Sequence, residues 1–265
     1  MNEFVLSSEI LTEFEFETPQ EYKVNAIVLL VENSRLKDNG YSLSLSGKQM
    51  KDWVKDCVSH FDCSFVNLEE KDNPLEIIKP YIKDEDYTIV LFSDTPLLTS
   101  TTVLDCLDYA TTKQIDFCKF PRGFIVKSQN FLNNKIEQTA EPAFINKEEF
   151  FVVFNSKTLS QAKFQIKNRI IEKHLKNKVI IDDINSTYID YQVEIAPFVK
   201  IASNNVLKGE TKIEENVELK ENNIIDNCII KKGSKIFYSV LNNVEIEENS
   251  NIGPFANKSN KKEEN

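Results

Sequence analysis

Three arginines serve the whole chain: Arg35, Arg122 and Arg169. Their scarcity matters, because a guanidinium is a planar fork of N–H donors shaped to grip phosphate or carboxylate. Arg35 falls within "AIVLLVENSRLKDNGYSLSLSGKQMKDWV" (26–54), which reads as a buried strand, a polar loop and an amphipathic helix. That layout offers backbone N–H groups and a helix start to an anion. Loops that cradle phosphates are usually rich in glycine, so that the backbone can turn in closely. Here "VENSR" has none and carries Glu32, where negative charge is least welcome. A further candidate is Asp94, the acid that ends "DYTIVLFSDTPLLT". A carboxylate at a strand end is a hard-oxygen ligand for a cation or an ordinary turn acid before Thr-Pro, and the pattern leaves both readings open.

The rest of the titratable inventory narrows the field. A net charge of −10 disfavours a nucleic-acid or membrane-surface role, since phosphate backbones require basic faces. It leaves room for one small anion held by a few local cations. The five cysteines (Cys57, Cys63, Cys106, Cys118, Cys228) form no CxxC pair, and no histidine stands near them at metal spacing. They read as small buried residues in a reducing compartment. His60 and His174 read as surface or helix-end residues. No signal-like opening and no apolar run long enough to span a bilayer is visible, so a cytoplasmic protein is expected.

The elements that must position these groups fall into two kinds. Residues 1–21 are acidic and irregular, with a weak "FVL" and "FEF" alternation that carries no functional reading. Lys23 to Val31 is a continuous apolar run, the mark of a parallel strand buried on both faces. Met50, Val54, Cys57, Val58 and Phe61 then recur at helical spacing, flanked by Trp53. "CSFVNL" and "DYTIVLF" are strands, "NPLEIIKPYI" is a short helical piece, and a helix follows "SDTPLLT" with Thr99 or Ser100 as its N-cap. Strands alternating with helices predict a doubly wound, Rossmann-like α/β domain. "TLSQAKFQIKNRIIEKHLKNK" is a bridging helix whose apolar stripe is Ala162, Ile166, Ile170 and Leu175. Its terminal Lys173, His174, Lys176 and Lys178 complement the helix dipole.

From Val179 the period changes to six. Ile189, Ile195, Ile201, Leu207, Ile213, Leu219 and Ile225 follow one another without a miss, with Val193, Val199 and Val217 as a weaker second position. One rung then loses a residue, the pattern resumes at Ile230 and Ile236, shortens again through Leu241 to Ile246, and returns to six at Ile252. Neither a helix nor an alternating strand has that period. A hexapeptide β-helix does, with three units per coil and the aliphatic residue inward. Asn204, Asn205, Asn222, Asn223, Asn242 and Asn243 suit its turns, because asparagine tolerates left-handed backbone angles. "KSNKKEEN" reads as a solvated tail. The expected division is 1–155 for the α/β domain, 156–178 for the bridging helix, 179–256 for the β-helix and 257–265 for the tail.

This order of parts resembles the bacterial N-acetylglucosamine-1-phosphate uridylyltransferases, which are often fused to a glucosamine-1-phosphate acetyltransferase. Four stretches carry the resemblance: "AIVL…SRL…GKQMKDWV", "VLFSDTPLLT", "VVFNSKTLSQA", and "IIEKHLKNKVIIDDINSTYID" with "GPFA" at Gly253 to Ala256. They span roughly two-thirds of the chain. The resemblance implies a left-handed β-helix, side-by-side packing as a homotrimer, and Mg²⁺-dependent transfer of a nucleotidyl group to a sugar-1-phosphate with release of pyrophosphate. UTP and N-acetylglucosamine-1-phosphate are the implied substrates. It further implies that Asp94 and Asn155 hold Mg²⁺ against the nucleotide phosphates. Arg35 and Lys48 would then act as catalytic cations, with Asp94 as a nucleotide contact; Arg122, in "FPRGFIV" near where the family has a sugar-contact strand, is a candidate phosphate grip for the nucleotide. Mg²⁺ suits such a sparse set, since it takes hard oxygens and keeps several waters. Each residue also has a plainer reading: Asn155 as a helix cap, and Arg35 and Lys48 as solvated cations.

The departures weigh against turnover. The family's loop glycines are missing, and its Pro-Lys, whose lysine neutralises the leaving pyrophosphate, falls near Asn39 and Gly40 without a counterpart. Nucleotidyl transfer rests on positioning and charge neutralisation, so these losses are costly. The stretch between Asp94 and Asn155 is shorter than in the family. No histidine follows His174 and few coils follow Gly253, so acetyl transfer is not expected. The competing expectation is a catalytically degenerate homologue that binds a nucleotide or sugar nucleotide, or serves as an oligomeric scaffold.

Overall fold

A computed structural model of the chain describes residues 22–33, 35, 36 and 40–260. The irregular opening stretch, Asn39 and the last five residues lie outside it.

The α/β half is built from β1 (Val24–Val31), a tiny hairpin of β2 (Ser44–Leu45) and β3 (Lys48–Gln49), α1 (Met50–Asp56), β4 (Asp62–Leu68), α2 (Pro74–Ile77), β5 (Tyr87–Phe92), α3 (Ser100–Thr112), β6 (Phe117–Phe120), β7 (Gly123–Lys127), α4 (Ser128–Leu132) and β8 (Thr139–Ala140). The sheet order is β4-β1-β5-β7-β6-β8. Because β1 and β5 are covered on both faces, they read as unbroken apolar runs rather than alternating ones. Alternate residues divide between two cores. Ala26, Val28, Ile89 and Leu91 pack with α1 and α3 through Val54, Cys57, Val103 and Cys106. Ile27, Leu29, Val90 and Phe92 pack on the other face with Ile78 and Phe131. This is the expected Rossmann-type layering, with one difference. The pairs β4-β1-β5 and β6-β8 are parallel, but β7 runs antiparallel to both β5 and β6. The physical reason is the two-residue turn Pro121-Arg122, which can close a hairpin but not a parallel crossover.

Next comes α5 (Ser156–Lys176), about 31 Å long at 1.5 Å per residue. Ala162, Ile166 and Ile170 bury themselves as expected, in one cluster with Leu45, Met50, Leu97 and Val153 on one side and Val179 and Ile189 on the other. Leu175 does not join this stripe and is exposed; Ile171 and His174 are buried in its place. The reading of His174 as a surface or helix-end residue therefore needs correction. It does lie in the last turn of α5, but it is buried, and its Nε2 finds no hydrogen-bond partner among the described residues. Burial, with Lys173 adding to it, pushes its pKa down to about 4.

Beyond α5 come strands of two or three residues, β9 (Ile180–Ile181) to β22 (Asn257–Ser259), in three parallel sheets. Ile189 pairs with Leu207, Ile195 with Ile213 and Ile201 with Leu219, each 18 residues on, which is three units of six per coil. The offsets shorten later, as with Ile225 to Leu241. The period-six residues from Ile189 to Ile246 are all buried. These stacked short strands are those of a β-helix. The asparagines divide by role. Asn204, Asn222 and Asn243 take positive φ at the corners. Asn205 and Asn223 are instead buried, with Asn223 Nδ2 donating to Asn205 Oδ1 at 2.9 Å. The stack also continues past Ala256. Asn257–Ser259, expected to be tail, pairs with Val240–Asn242.

Hairpin, helix and coil meet where Ser46 O accepts the Tyr191 N–H at 3.0 Å. There the Trp53 and Tyr191 rings meet edge to face.

Candidate functional site

The strand order turns back on itself between β1 and β5: the chain leaves β1 for β4 on one side and returns to β5 on the other. The crevice beyond the C-terminal ends of two such strands is where open α/β sheets hold ligands. Here backbone and side-chain hydrogen bonds tie three segments together. Val31 N–H donates to Ser93 Oγ at 3.0 Å, and Ser93 N–H to Leu29 O at 2.9 Å. Val153 N–H donates to Asp94 O at 2.8 Å, and Asn33 Nδ2 to Phe154 O at 3.1 Å. The loop after β1, the end of β5 and the residues before α5 thus share one place, as a phosphate site requires.

Asp94 is 6% exposed, and both of its oxygens are taken. Arg122 Nε donates to Oδ1 at 3.1 Å and Nη2 to Oδ2 at 2.6 Å, a bidentate pair. The guanidinium carbon lies 4.1 Å from the centre of the Phe92 ring, so one of its faces is covered as well. Register explains the meeting. Leu91 pairs with Gly123, so Arg122, one residue earlier on the antiparallel strand, falls beside the end of β5. Gly123 is required for this. Its φ is +147°, and a Cβ there would stand 2.3 Å from the Phe120 ring and 2.8 Å from Val90 O.

Asn155 caps α5. Its Oδ1 accepts the Thr158 N–H at 2.9 Å, and Thr158 Oγ1 accepts the Asn155 N–H at 3.0 Å. This reciprocal box satisfies helix-start donors that otherwise lack partners. The structure thus brings Asp94, Arg122 and Asn155 to one end of the sheet, with every oxygen expected to face a metal already bonded to protein.

The other two candidates lie differently. Arg35 is exposed, and its backbone N–H donates to Asn33 Oδ1 at 2.9 Å in a local turn. Its guanidinium makes no ion pair among the described residues. Lys48 is buried at the joint with the coils. It pairs with Asp56, and its Nζ stands 5.0 Å from the Trp53 ring centre and 4.7 Å from that of Tyr191. Burial lowers its pKa. The solvated-cation reading of Lys48 is corrected by its burial, with its charge set against Asp56, Trp53 and Tyr191.

A divalent cation does not fit these residues as they stand. Its first ligand is already neutralised by a guanidinium bonded to both oxygens, and its second accepts the Thr158 N–H and hydroxyl in a helix cap. Among the described residues no group of three or more His, Cys, Asp or Glu could hold a metal. Beside the end of β1 a notch of about 290 Å³ is lined by Glu32, Glu69, Glu70 and Lys71, which gives the loop an acidic flank. A cleft of about 920 Å³ lies between α5 and residues 146–151, and another of about 680 Å³ between α5, the β2–β3 hairpin and the first coil. Neither is lined by Asp94, Arg122 or Asn155. Sequence reasoning missed the Asp94–Arg122 pair. Its signal was the Arg-Gly step after a short strand, legible only once β7 is known to lie antiparallel to β5.

No protein-family model matches the chain. Among curated proteins, the chain is 39% identical over 115 residues to the bifunctional protein GlmU of Caldanaerobacter subterraneus subsp. tengcongensis, covering 43% of this chain and 25% of that protein. It is 36% identical over 109 residues to the bifunctional protein GlmU of Clostridium kluyveri, covering 41% and 24%. These matches span less of the chain than the four motifs do, and the chain spans about a quarter of the length of these relatives. Among solved structures, molybdopterin-guanine dinucleotide biosynthesis protein A of Archaeoglobus fulgidus aligns at 13% identity and a TM-score of 0.43, over 55% of this chain and 99% of that one. A CMP:2-keto-3-deoxy-manno-octonic acid synthetase solved with CTP aligns at 12% identity and a TM-score of 0.43, over 56% and 99%. Scores below 0.5 do not establish a shared fold. The resemblance to the bifunctional GlmU proteins, over about two-fifths of the chain, is the relationship these comparisons establish.

Proposed function

We propose that the chain is a sugar nucleotidyltransferase-like protein whose α/β half holds the phosphates of a nucleotide or sugar nucleotide at the β1–β5 crevice, with binding retained and turnover lost. The carrying observation is the bidentate Asp94–Arg122 pair. It sets a guanidinium at the switch point, where anionic ligands of α/β sheets are held. It also occupies the carboxylate that the transfer chemistry would use. Arg35 on the neighbouring loop is the second candidate phosphate contact. Nucleotidyl transfer requires the sugar-phosphate oxygen to attack the α-phosphorus while pyrophosphate leaves with its charge neutralised. Glu32 and the missing loop lysine oppose both demands.

The retained "FSDTPLL" motif at the end of β5 favours a second reading, active Mg²⁺-dependent transfer from UTP to N-acetylglucosamine-1-phosphate. That reading requires Arg122 to leave Asp94. Pyrophosphate release from UTP and N-acetylglucosamine-1-phosphate, with and without Mg²⁺, separates the two. The binding reading expects no release above a blank. Release that disappears in Asp94→Ala would overturn it.

The coils, in this proposal, form a left-handed hexapeptide β-helix that assembles three chains. Supporting this, one face carries an apolar outward ladder of Tyr188, Val206, Ile224 and Val240, paired strand to strand. The other two faces carry ion pairs such as Lys212–Glu194 at 3.2 Å and Lys235–Glu218 at 3.2 Å. An outward apolar row, exposed at Tyr188, Ile224 and Val240 and half-buried at Val206, is what a buried subunit face looks like before assembly. The free cysteines suit a reducing cytoplasm. Among the described residues no helix is long and apolar enough to cross a membrane.

A further inference from the structure

We propose that Arg122 occupies the position a divalent cation would take at Asp94, so that this crevice holds phosphate esters without a metal. The inference rests on the reading of the crevice as a nucleotidyltransferase-like site and states how that site is charged. A metal at Asp94 needs a carboxylate whose charge is not already neutralised by a fixed cation. Both oxygens instead accept guanidinium N–H groups, at 3.1 and 2.6 Å. A dication there would also meet the Arg122 charge within a few ångströms, in a place where Asp94 is almost wholly shielded from water.

The pair is held from three sides. Gly123 lets the hairpin close on β5, where a Cβ would strike the Phe120 ring and Val90 O. Phe92 covers one guanidinium face. The Val153 N–H fixes the Asp94 backbone. The prospective second ligand is also committed, since Asn155 Oδ1 accepts the Thr158 N–H. What Arg122 retains for a ligand is Nη1, which has no hydrogen bond or ion pair among the described residues. The side chain is about a third exposed, so that edge is reachable. A phosphate oxygen there would receive a charge-assisted bond from a fixed fork, and the carboxylate behind it would hold the fork in place rather than coordinate. Metal and Arg122 thus exclude one another: removing the guanidinium should expose a cation site.

The test uses Mn²⁺ as the probe for Mg²⁺ and contains no nucleotide, so it stands whether or not the proposed ligand binds. Free Mn²⁺ is followed by electron paramagnetic resonance during titration of the full chain. Arg122→Gln is the main variant, because the amide keeps a donor on Asp94 and the fold, while the charge is gone. Arg122→Ala, Asp94→Asn and the double variant Arg122→Gln/Asp94→Asn complete the set. The expected result is no saturable Mn²⁺ binding by wild type, binding gained in Arg122→Gln and Arg122→Ala, and its loss in the double variant. Saturable binding by wild type that disappears in Asp94→Asn would overturn the proposal, because the pair would then open to the metal. Failure of both Arg122 variants to gain binding would overturn it equally, because Arg122 would not be standing in a metal's place.

Discussion

A double-mutant cycle on Asp94 and Arg122 reads directly what the pair is worth. Arg122→Ala removes two charged hydrogen bonds and leaves a carboxylate that is 6% exposed without a donor on either oxygen. Breaking a fully buried pair from one side costs about 3–5 kcal/mol. Arg122 is about a third exposed, so water reaches the vacated side and the expected cost falls to about 2–4 kcal/mol, part of it the lost stacking on Phe92. Asp94→Asn keeps shape and one acceptor and should cost about 1–2 kcal/mol. In the double variant no charge is left uncompensated, so the two losses should not add. The coupling should be about 1.5–3 kcal/mol. Urea unfolding followed through Trp53, the single tryptophan, reports each variant as a shift of midpoint at unchanged slope. A coupling below about 0.5 kcal/mol, the value of a solvated surface pair, would refute the claim that this pair organises the crevice.

Three further outcomes follow from other parts of the molecule. Asn155→Ala should lower stability by about 1 kcal/mol, and the loss should be the same with and without Mg²⁺, as for a helix cap and not a ligand. His174 has a folded pKa near 4 against an ordinary value of 6.5, so the unfolded chain binds its proton more readily. Its contribution is complete above about pH 6.5 and is lost as pH falls toward 4, a decline of about 3 kcal/mol that His174→Gln should remove from the urea midpoint-versus-pH curve. Ile224→Lys, on the exposed ladder of the coils, should turn a trimer into a monomer by light scattering without lowering the melting temperature of dilute protein.

The legible parts of the sequence were those whose period is set by burial. The run from Val24 to Val31 announced a strand covered on both faces, and the spacing of six announced inward aliphatics. Both follow from local geometry, so neither needs knowledge of distant partners. The Thr99 cap and Asn155 were visible in the same way, although Asn155 had two meanings until its Oδ1 was seen on Thr158. What the sequence did not reveal depends on pairing across distance. Arg122 and Asp94 are 28 residues apart and meet only because β7, which follows Arg122, is antiparallel to β5, which precedes Asp94. Lys48 looked like a free cation because its aromatic neighbour Tyr191 lies in the first coil. Leu175 fitted a helical stripe by spacing, but at the end of the helix Ile171 and His174 are buried and Leu175 is exposed.

The central claim is that Arg122 grips a phosphate at the β1–β5 crevice, and calorimetric titration of UTP in EDTA, with wild type and Arg122→Gln, tests it most directly. One charge-assisted hydrogen bond is worth about 1.5–3 kcal/mol, or about ten- to a hundredfold in affinity. Wild type should bind UTP in EDTA, and Arg122→Gln should weaken binding by at least that lower factor, with Mg²⁺ leaving the wild-type affinity unchanged. Binding that appears only with Mg²⁺, equal binding in the two proteins, or no binding to wild type would contradict it.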